Sequence, residues 1–361
     1  MNRHQARLIN NDNRKWWTLG AMCFALFMIM LDNTVVNVAL PSIQRDLNAS
    51  ISSLEWTING YTLSFAVLLV TGGRLGDIFG RRRMFIGGVT LFTLASATAG
   101  FAPDTLSLVI SRIVQGVGAA FMMPGTLSII TDAFPAAERG KAIGTWAGVS
   151  AMALAIGPLL GGFLTEHVGW QAIFFINLPV GVAAVLAALF AVRESRDETV
   201  GREVDYAGVA VLTAGLTALV LALVEGNSWG WGSPGIVSLI AGSVVLLAAF
   251  IAIELRVHAP MVEFGLFANR TFIGAVSVAF IVTFAMLGMF FFLALYMQNV
   301  KGYSPLQAGV RFLPSTAVII FMGPIAGRLA DRVGPRKPMV AGLLMVAASL
   351  FWQGHLEVDT S

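Results

Sequence analysis

The segment Gly73-Arg74-Leu75-Gly76-Asp77-Ile78-Phe79-Gly80-Arg81-Arg82-Arg83 recurs in altered form as Gly327-Arg328-Leu329-Ala330-Asp331-Arg332-Val333-Gly334-Pro335-Arg336-Lys337. The two copies share glycine, arginine, leucine and aspartate at matching positions, and both end in basic residues. Each copy lies between two long apolar stretches. A repeated loop of this kind predicts two structural halves that keep the loop on the same side of a membrane.

The composition around these loops excludes an ordinary soluble protein. Of 361 residues, 57% are hydrophobic and 12% are charged, and the mean hydropathy is +0.78, whereas soluble domains carry roughly 25% charged residues. A chain this apolar requires a lipid bilayer around it. About eleven stretches are long enough to cross ~30 Å of hydrocarbon. We place them approximately at 17–40, 55–73, 84–101, 105–128, 141–165, 172–192, 206–224, 235–253, 272–298, 305–326 and 338–354.

The basic residues predict the orientation. Most of the 23 lysines and arginines fall in alternate loops that include the N-terminus, while the other loops hold Arg45 and Lys301, and two spans hold Arg112 and Arg311. Because basic loops stay in the cytoplasm, this pattern predicts a multi-pass protein of the cell membrane with a cytoplasmic N-terminus. With the charges so placed, no basic face is left for nucleic acid.

Eight predicted spans separate the two loop copies, so two helices are inserted between the halves. We therefore expect a six-span first half at 1–195, a two-helix insert with its flanking loops at 196–268, and three spans of a second half at 269–361.

Three further motifs identify a family. They are Leu31-Asp32-Asn33-Thr34-Val35-Val36-Asn37-Val38-Ala39-Leu40-Pro41 in the first span, Arg112-Ile113-Val114-Gln115-Gly116-Val117-Gly118-Ala119-Ala120 in the fourth, and Gly157-Pro158-Leu159-Leu160-Gly161-Gly162 in the fifth. With the repeated loop, they resemble the fourteen-span drug:proton antiporters of the EmrB/QacA type within the major facilitator superfamily. The resemblance implies an all-α membrane fold with an N-terminal six-helix bundle, two linker helices and an incomplete C-terminal bundle. It also implies a C-terminal truncation, because three more spans would be expected after Ser361.

Charged residues inside a membrane span are costly and indicate function. Asp32 and Arg112 both lie ~10–12 Å below the external surface when the rise per residue is about 1.5 Å, which permits a pair. We interpret Asp32 as a proton-accepting carboxylate, and the resemblance gives Arg112 and Gln115 a proton-relay or charge-balancing role. The alternatives are a structural aspartate and a fixed ion pair between spans. Arg311 lies nearer a helix end, where it is expected to extend to the interface.

The repeated loop is a candidate conformational latch. Its proposed gating residues are Gly73, Asp77, Gly80, Arg81, Arg82 and Asp331. Arginines can bridge carboxylates and loop carbonyls across the two halves. The alternative is that most of these arginines only set the topology.

Small residues in the fifth span form the antiporter motif, namely Gly157, Pro158, Gly161 and Gly162. They allow a neighbouring helix to approach closely, which also occurs in ordinary helix packing. Candidate substrate-lining residues are Phe24, Met28, Trp56, Tyr61 and Phe65, because soft and aromatic side chains suit an amphipathic or cationic organic compound.

The leading hypothesis is proton-coupled efflux of lipophilic or cationic drugs by alternating access, with protons and the small-molecule substrate as ligands. Two alternatives remain open: export of a defined metabolite or lipid on the same fold, and a non-transporting truncated protein or sensor. No catalytic motif, cofactor motif or metal-ligand spacing is found in the sequence, so an enzyme is not expected. Periplasmic or outer-membrane efflux partners cannot be identified from the sequence.

Overall fold

Helices make up almost all of the chain in the computed structural model, which describes residues 13–196, 205–257, 260, 262, 264–334 and 336–353. The α-helices are α1 (Arg14–Asp46), α2 (Ile51–Phe79), α3 (Arg81–Gly100), α4 (Thr105–Ala133), α5 (Ala136–His167), α6 (Ala172–Phe175), α7 (Asn177–Ala191), α8 (Tyr206–Trp229), α9 (Pro234–Glu254), α10 (Arg270–Leu295), α11 (Pro305–Val333) and α12 (Arg336–Gln353). A 3₁₀-helix at Phe264–Ala268 precedes α10, and a π-helix at Tyr296–Val300 extends it. The predicted all-α fold is confirmed.

Polar side chains begin several of these helices. Ser50, Asp104, Ser233 and Ser304 each accept a hydrogen bond from the backbone N–H three residues further on. Such caps satisfy donors that have no partner inside the helix. These caps therefore help to set where the four helices begin.

Eight helical segments of the described chain are long and apolar enough to cross a membrane. They are α1, α2, α4, α5, α6 together with α7, α8, α9, and α10 with its π-helical extension. The other three predicted spans coincide with α3, α11 and α12, which are helical but are not among these eight segments.

The first half packs around α1. This helix contacts α5, α7 and α4, while α2 and α3 pack on the other sides of α4. Two apolar clusters surround α1, one around Met28 and Phe92 and the other around Val35 and Phe174. A helix that is buried along most of its length in this way positions its inward-facing polar residues inside the bundle.

The remaining helices form two groups. Helices α8 and α9 pair with each other, and α8 packs along α2; α11 packs along α5, and α10 contacts α1. We call the end of the first half that carries Asp77, Arg81, Asp132 and Ser195 the basic end, and the end that carries Asp46 and Trp170 the opposite end.

Candidate functional site

Asp32 and Arg112 form an ion pair at the centre of the first half. Arg112 Nη1 lies 2.5 Å from Asp32 Oδ2, and the two residues are 1% and 0% exposed. Arg112 Nε also donates to the carbonyl oxygen of Thr57 at 3.1 Å, and its guanidinium lies 4.3 Å from the ring centroid of Tyr61. A buried charge pair persists only when further hydrogen bonds satisfy both partners, as they do here.

Gln115 joins the same network. Its Nε2 donates to Asp32 Oδ1 at 2.9 Å, and its Oε1 accepts from Arg112 Nη1 at 2.7 Å. Arg112 and Gln115 are three residues apart on α4 and so face the same way. The sequence-predicted trio therefore comes together in space.

The network also includes two residues that sequence reasoning missed. Asn177 Nδ2 donates to Asp32 Oδ1 at 3.3 Å and to Ser96 Oγ at 3.0 Å, and Ser96 Oγ donates to the carbonyl oxygen of Phe174 at 2.8 Å. Asn177 begins α7 directly after the helix breaks at Ile176. The signal in the sequence that could have identified Asn177 is that it is a polar residue within the apolar sixth span.

Three donors reach the two carboxylate oxygens of Asp32, so this side chain joins α1 to α4 and α7, and Asn177 extends the network to Ser96 of α3. A change in the charge of Asp32 would alter the hydrogen bonds of all four helices. The arrangement is a buried polar junction between α1, α3, α4 and α7.

The repeated loop is built around Arg81. Its Nε donates to Asp77 Oδ1 at 2.9 Å, and its Nη1 lies 2.9 Å from Asp132 Oδ2, so it joins α2, α3 and α4. Partial burial lowers the pKa of Arg81, but its hydrogen bonds with Asp77 and Asp132 and their charges raise it above its ordinary value. Asp132 was not predicted from sequence.

Glu194 is a second unpredicted member of the loop. Its Oε1 accepts from the backbone N–H of Arg82 at 3.0 Å, and Arg82 Nη2 donates to the carbonyl oxygen of Leu189. Gly80 has φ of +114°, and a Cβ there would lie 2.5 Å from Glu194 Oε1. The positive φ favours glycine at this position, and any side chain there would also require the Glu194 carboxylate to move.

Two other loop positions complete the predicted set. Gly73 faces Pro124 of α4, where a Cβ would lie 3.4 Å from the proline Cβ. Asp331 lies in the last turns of α11, and its side chain is outside the described part of the structure.

The antiporter motif lies where α5 meets two other helices. A Cβ on Gly161 would lie 2.9 Å from Val35 Cα of α1, and a Cβ on Gly162 would lie 2.9 Å from Leu306 Cα of α11. Gly157 faces Thr34 of α1, and the carbonyl of Pro158 faces Gly309 of α11. The motif therefore brings the first half against α11 at close range.

The five candidate substrate-lining residues lie in different surroundings. Met28 and Tyr61 are buried in the core, with Phe65 stacked on Tyr61 at 6.2 Å between centroids. Phe24 is 46% exposed on the outside of α1, and Trp56 Nε1 donates to Glu225 of α8 at 3.0 Å. Tyr61 is the one that also touches the buried ion pair through Arg112.

Arg311 donates to the carbonyl oxygen of Gln307, and its guanidinium lies 3.7 Å from the Tyr303 ring centroid near the start of α11. Within the described ranges, no three histidines, cysteines, aspartates or glutamates converge as a metal-binding group.

Comparison with known proteins decides the family. A family model described as the Major Facilitator Superfamily matches residues 22–355. The chain belongs to this superfamily. Membership in this transporter family agrees with the prediction that the chain is a multi-pass membrane transporter rather than an enzyme.

Relatives within the superfamily are named for antibiotic resistance and export. The tetracenomycin C resistance and export protein of Streptomyces glaucescens is 38% identical over 347 residues, which are 96% of this chain and 64% of that protein. The puromycin resistance protein of Streptomyces alboniger is 41% identical over 353 residues, covering 97% and 69%. The multidrug resistance protein Stp of Mycobacterium tuberculosis is 37% identical over 334 residues, covering 92% and 62%. The chain thus spans about two thirds of the length of these relatives.

Solved facilitator structures share the fold. A peptide transporter POT in complex with sulfate has a TM-score of 0.64 at 15% identity, with 95% of this chain and 77% of that chain covered. A bacterial homologue of the human lysosomal transporter Spinster, inward-facing and unoccupied, has a TM-score of 0.58 at 21% identity, with 90% and 64% covered. At these identities the likeness concerns the fold alone.

Proposed function

We propose that the protein exports lipophilic or cationic organic compounds by alternating access, in exchange for protons that bind at Asp32. The observation that carries the proposal is the buried network of Asp32, Arg112 and Gln115 inside a facilitator bundle. The names of three relatives, each concerned with drug or antibiotic resistance or export, support the substrate class.

Energy for export comes from protons moving in the other direction. One pH unit supplies ~1.4 kcal/mol per proton, and 100 mV supplies about 2.3 kcal/mol per charge. To use this energy, a carrier needs a group whose proton affinity differs between its two states. Separation of Arg112 from Asp32 in one state would produce that difference, since a nearby guanidinium favours the carboxylate.

Three finer features belong to the same proposal. The insertion of α8 and α9 between the halves is the arrangement of the fourteen-span antiporter type. The N-terminus is cytoplasmic, because the loops on its side hold most of the basic residues. The glycine-rich contact of α5 with α11 and the loop around Arg81 act as gates at the two ends of the bundle.

The test is drug uptake into inverted membrane vesicles driven by an imposed pH gradient. Asp32→Asn preserves shape and removes titration, so we expect uptake driven by the pH gradient to be lost while expression is retained. Asp32→Glu should retain part of the uptake. Full pH-driven transport by a well-expressed Asp32→Asn variant would overturn the proposal, and a panel of drugs, lipids and metabolites would identify the substrate class.

A further inference from the structure

A polar cavity of about 510 Å³ opens at the basic end of the first half. It lies between the start of α1, the end of α4 and the segment that follows α7. Its polar lining consists of Arg14, Lys15, Thr18, Asp132, Arg193 and Ser195. The cavity shares Asp132 with the loop around Arg81, but none of the residues named for the Asp32 network lines it.

Arg14 is at the centre of the positive charge that lines the cavity. Arg14 Nε donates to the carbonyl oxygen of Ala191 at 2.7 Å, which holds the guanidinium at the cavity. The pKa of Arg14 is lowered by partial burial and by the positive charges of Arg193 and Arg82. Three guanidinium groups that repel one another would be stabilised by an anion placed among them.

The neighbouring carboxylates are engaged with other cations. Asp132 pairs with Arg81 at 2.9 Å, Glu138 with Lys15 at 2.5 Å, and Glu194 lies 3.7 Å from Arg83. Within the described residues, none of these three ion pairs includes Arg14, which therefore keeps its positive charge at the cavity.

Ser195 supplies a second and independent observation. Its hydroxyl is buried and makes no hydrogen bond within the described residues, although Ser195 lines the cavity. Its backbone carbonyl accepts from the N–H of Arg81, which fixes the position of the residue. A buried hydroxyl without a partner costs about 1–3 kcal/mol. A rotation about the Cα–Cβ bond would turn this hydroxyl towards the cavity that the residue lines, where an anion could accept its hydrogen bond.

Two exposed tryptophans locate the cavity relative to the bilayer. Trp16 and Trp17 follow Arg14 in the first turn of α1 and are 41% and 48% exposed. Tryptophans of this kind lie at the level of the lipid headgroups. The cavity is therefore near the depth at which phosphate groups of lipids are found.

We propose that this cavity binds a phosphate-bearing anion, either free phosphate or the phosphate of an anionic lipid headgroup, held by Arg14, Arg193 and Ser195. Arginine binds phosphate through parallel N–H donors, and the serine hydroxyl adds a further donor.

Two arms of one experiment separate the sources. In the first, the purified protein is titrated with inorganic phosphate at constant ionic strength, with chloride as the comparison, and its thermal unfolding midpoint is followed. In the second, the protein is extracted from nanodiscs of phosphatidylglycerol or of phosphatidylcholine, and the retained lipid is counted by native mass spectrometry. Saturable stabilisation by phosphate, or selective retention of phosphatidylglycerol, supports the proposal and names the source.

The variants are Arg14→Gln and Ser195→Ala, with Arg196→Gln as the matched control. Arg196 is an exposed residue of the same segment that does not line the cavity. Loss of a charge-assisted hydrogen bond should weaken binding about tenfold in Arg14→Gln. Ser195→Ala removes an unpartnered hydroxyl and so keeps the fold, yet it should also weaken binding. Absence of binding in both arms, or equal binding by the two variants and the control, overturns the proposal.

Discussion

At the residue scale, Asn177 connects the buried Asp32 network to Ser96 of α3. One amide group donates both to Asp32 Oδ1 and to Ser96 Oγ, and Ser96 donates in turn to a backbone carbonyl of the sixth span. Because both residues are at most 1% exposed, water does not replace these bonds in this state. Asn177 therefore positions the carboxylate without titrating itself.

Asn177→Leu tests this positioning role. The variant removes one donor from the Asp32 carboxylate, which favours the protonated form, so the pH at half-maximal transport should rise. It also removes the hydrogen bond that Ser96 accepts, although Ser96 still donates to the Phe174 carbonyl, and should destabilise the protein by about 0.5–1.5 kcal/mol. The measurements are the pH profile of vesicle uptake and the thermal unfolding midpoint.

Asn37→Leu is the matched control. Asn37 lies on the same helix as Asp32 and donates to the carbonyl oxygen of Asn33 rather than to the network. It should lower stability without moving the pH profile. An unchanged pH profile in a folded Asn177→Leu variant would show that Asn177 has a structural role only.

Sequence reasoning from the residues found the charged part of this site, and the family resemblance added Gln115. Asp32 and Arg112 are conspicuous because charges inside lipid are costly, and their equal depth allowed a pair to be predicted. Uncharged polar residues such as Asn177 and Ser96 are tolerated in spans and commonly join helices, so they gave no distinct signal. Their contribution depends on the rotation of α3 and α7, which one sequence does not define.

At the element scale, α5 and α11 are held together by more than their small residues. Near the Gly162 contact, Glu166 accepts from the backbone N–H of Leu306 at 3.0 Å, at the start of α11. A carboxylate at a helix N-terminus is favoured by the helix dipole. The pKa of Glu166 is lowered, first by the Ser304 side chain and then by the Leu306 N–H.

Glu166→Gln should therefore loosen the contact between α5 and α11 at neutral pH. Since the pKa of Glu166 is lowered, its contribution is complete above the ordinary glutamate range and is lost only as pH falls through the lower folded value. Spin labels on α5 and α11 should report a longer or broader distance in the variant at both pH 7.5 and pH 5.5. Glu138→Gln, at the basic end, is the control and should leave that distance unchanged. If Glu166→Gln and the unchanged protein gave the same α5–α11 distance at pH 5.5, this role of Glu166 would be contradicted.

At the scale of the whole molecule, α8 packs the α8–α9 pair along α2, and Glu225 adds hydrogen bonds to the start of α2. Glu225 Oε1 accepts from Ser52 Oγ at 2.7 Å and from Trp56 Nε1 at 3.0 Å, both at the start of α2. Trp56 therefore faces the insert in this conformation. This position favours an anchoring role for Trp56 over contact with substrate.

Glu225→Ala should release this end of the hairpin from α2 while transport continues, because α8 and α9 lie outside the proposed pathway. A cysteine at Ser52 should then react faster with a water-soluble thiol reagent. Asn227→Ala is the control, since Asn227 bonds to Trp231 within the hairpin. Loss of drug specificity in Glu225→Ala, with unchanged expression, would instead support Trp56 as a substrate contact.

Orientation can be tested independently of transport. A single cysteine at position 11 should react with an impermeant reagent in inverted vesicles but not from outside intact cells. Labelling from outside would contradict the cytoplasmic N-terminus and with it the direction of transport.

Much of the architecture followed from the sequence, because apolar length, basic loops and a repeated motif are local signals. The break at Ile176 and the docking of α8 on α2 were not predicted. Both depend on which helix faces meet, and apolar residues cover every face of a helix in lipid.

The pairing of Asp32 with Arg112 has a further consequence for an idle carrier. If the carrier changed conformation without substrate, with Asp32 either protonated or deprotonated, protons would cross the membrane without any export. The proton gradient would then be lost. In the structure, Arg112 pairs with the Asp32 carboxylate, and both residues are almost fully buried. Under the proposed mechanism, a proton reaches Asp32 only when Arg112 is displaced. The ion pair therefore prevents a proton leak that is not coupled to export.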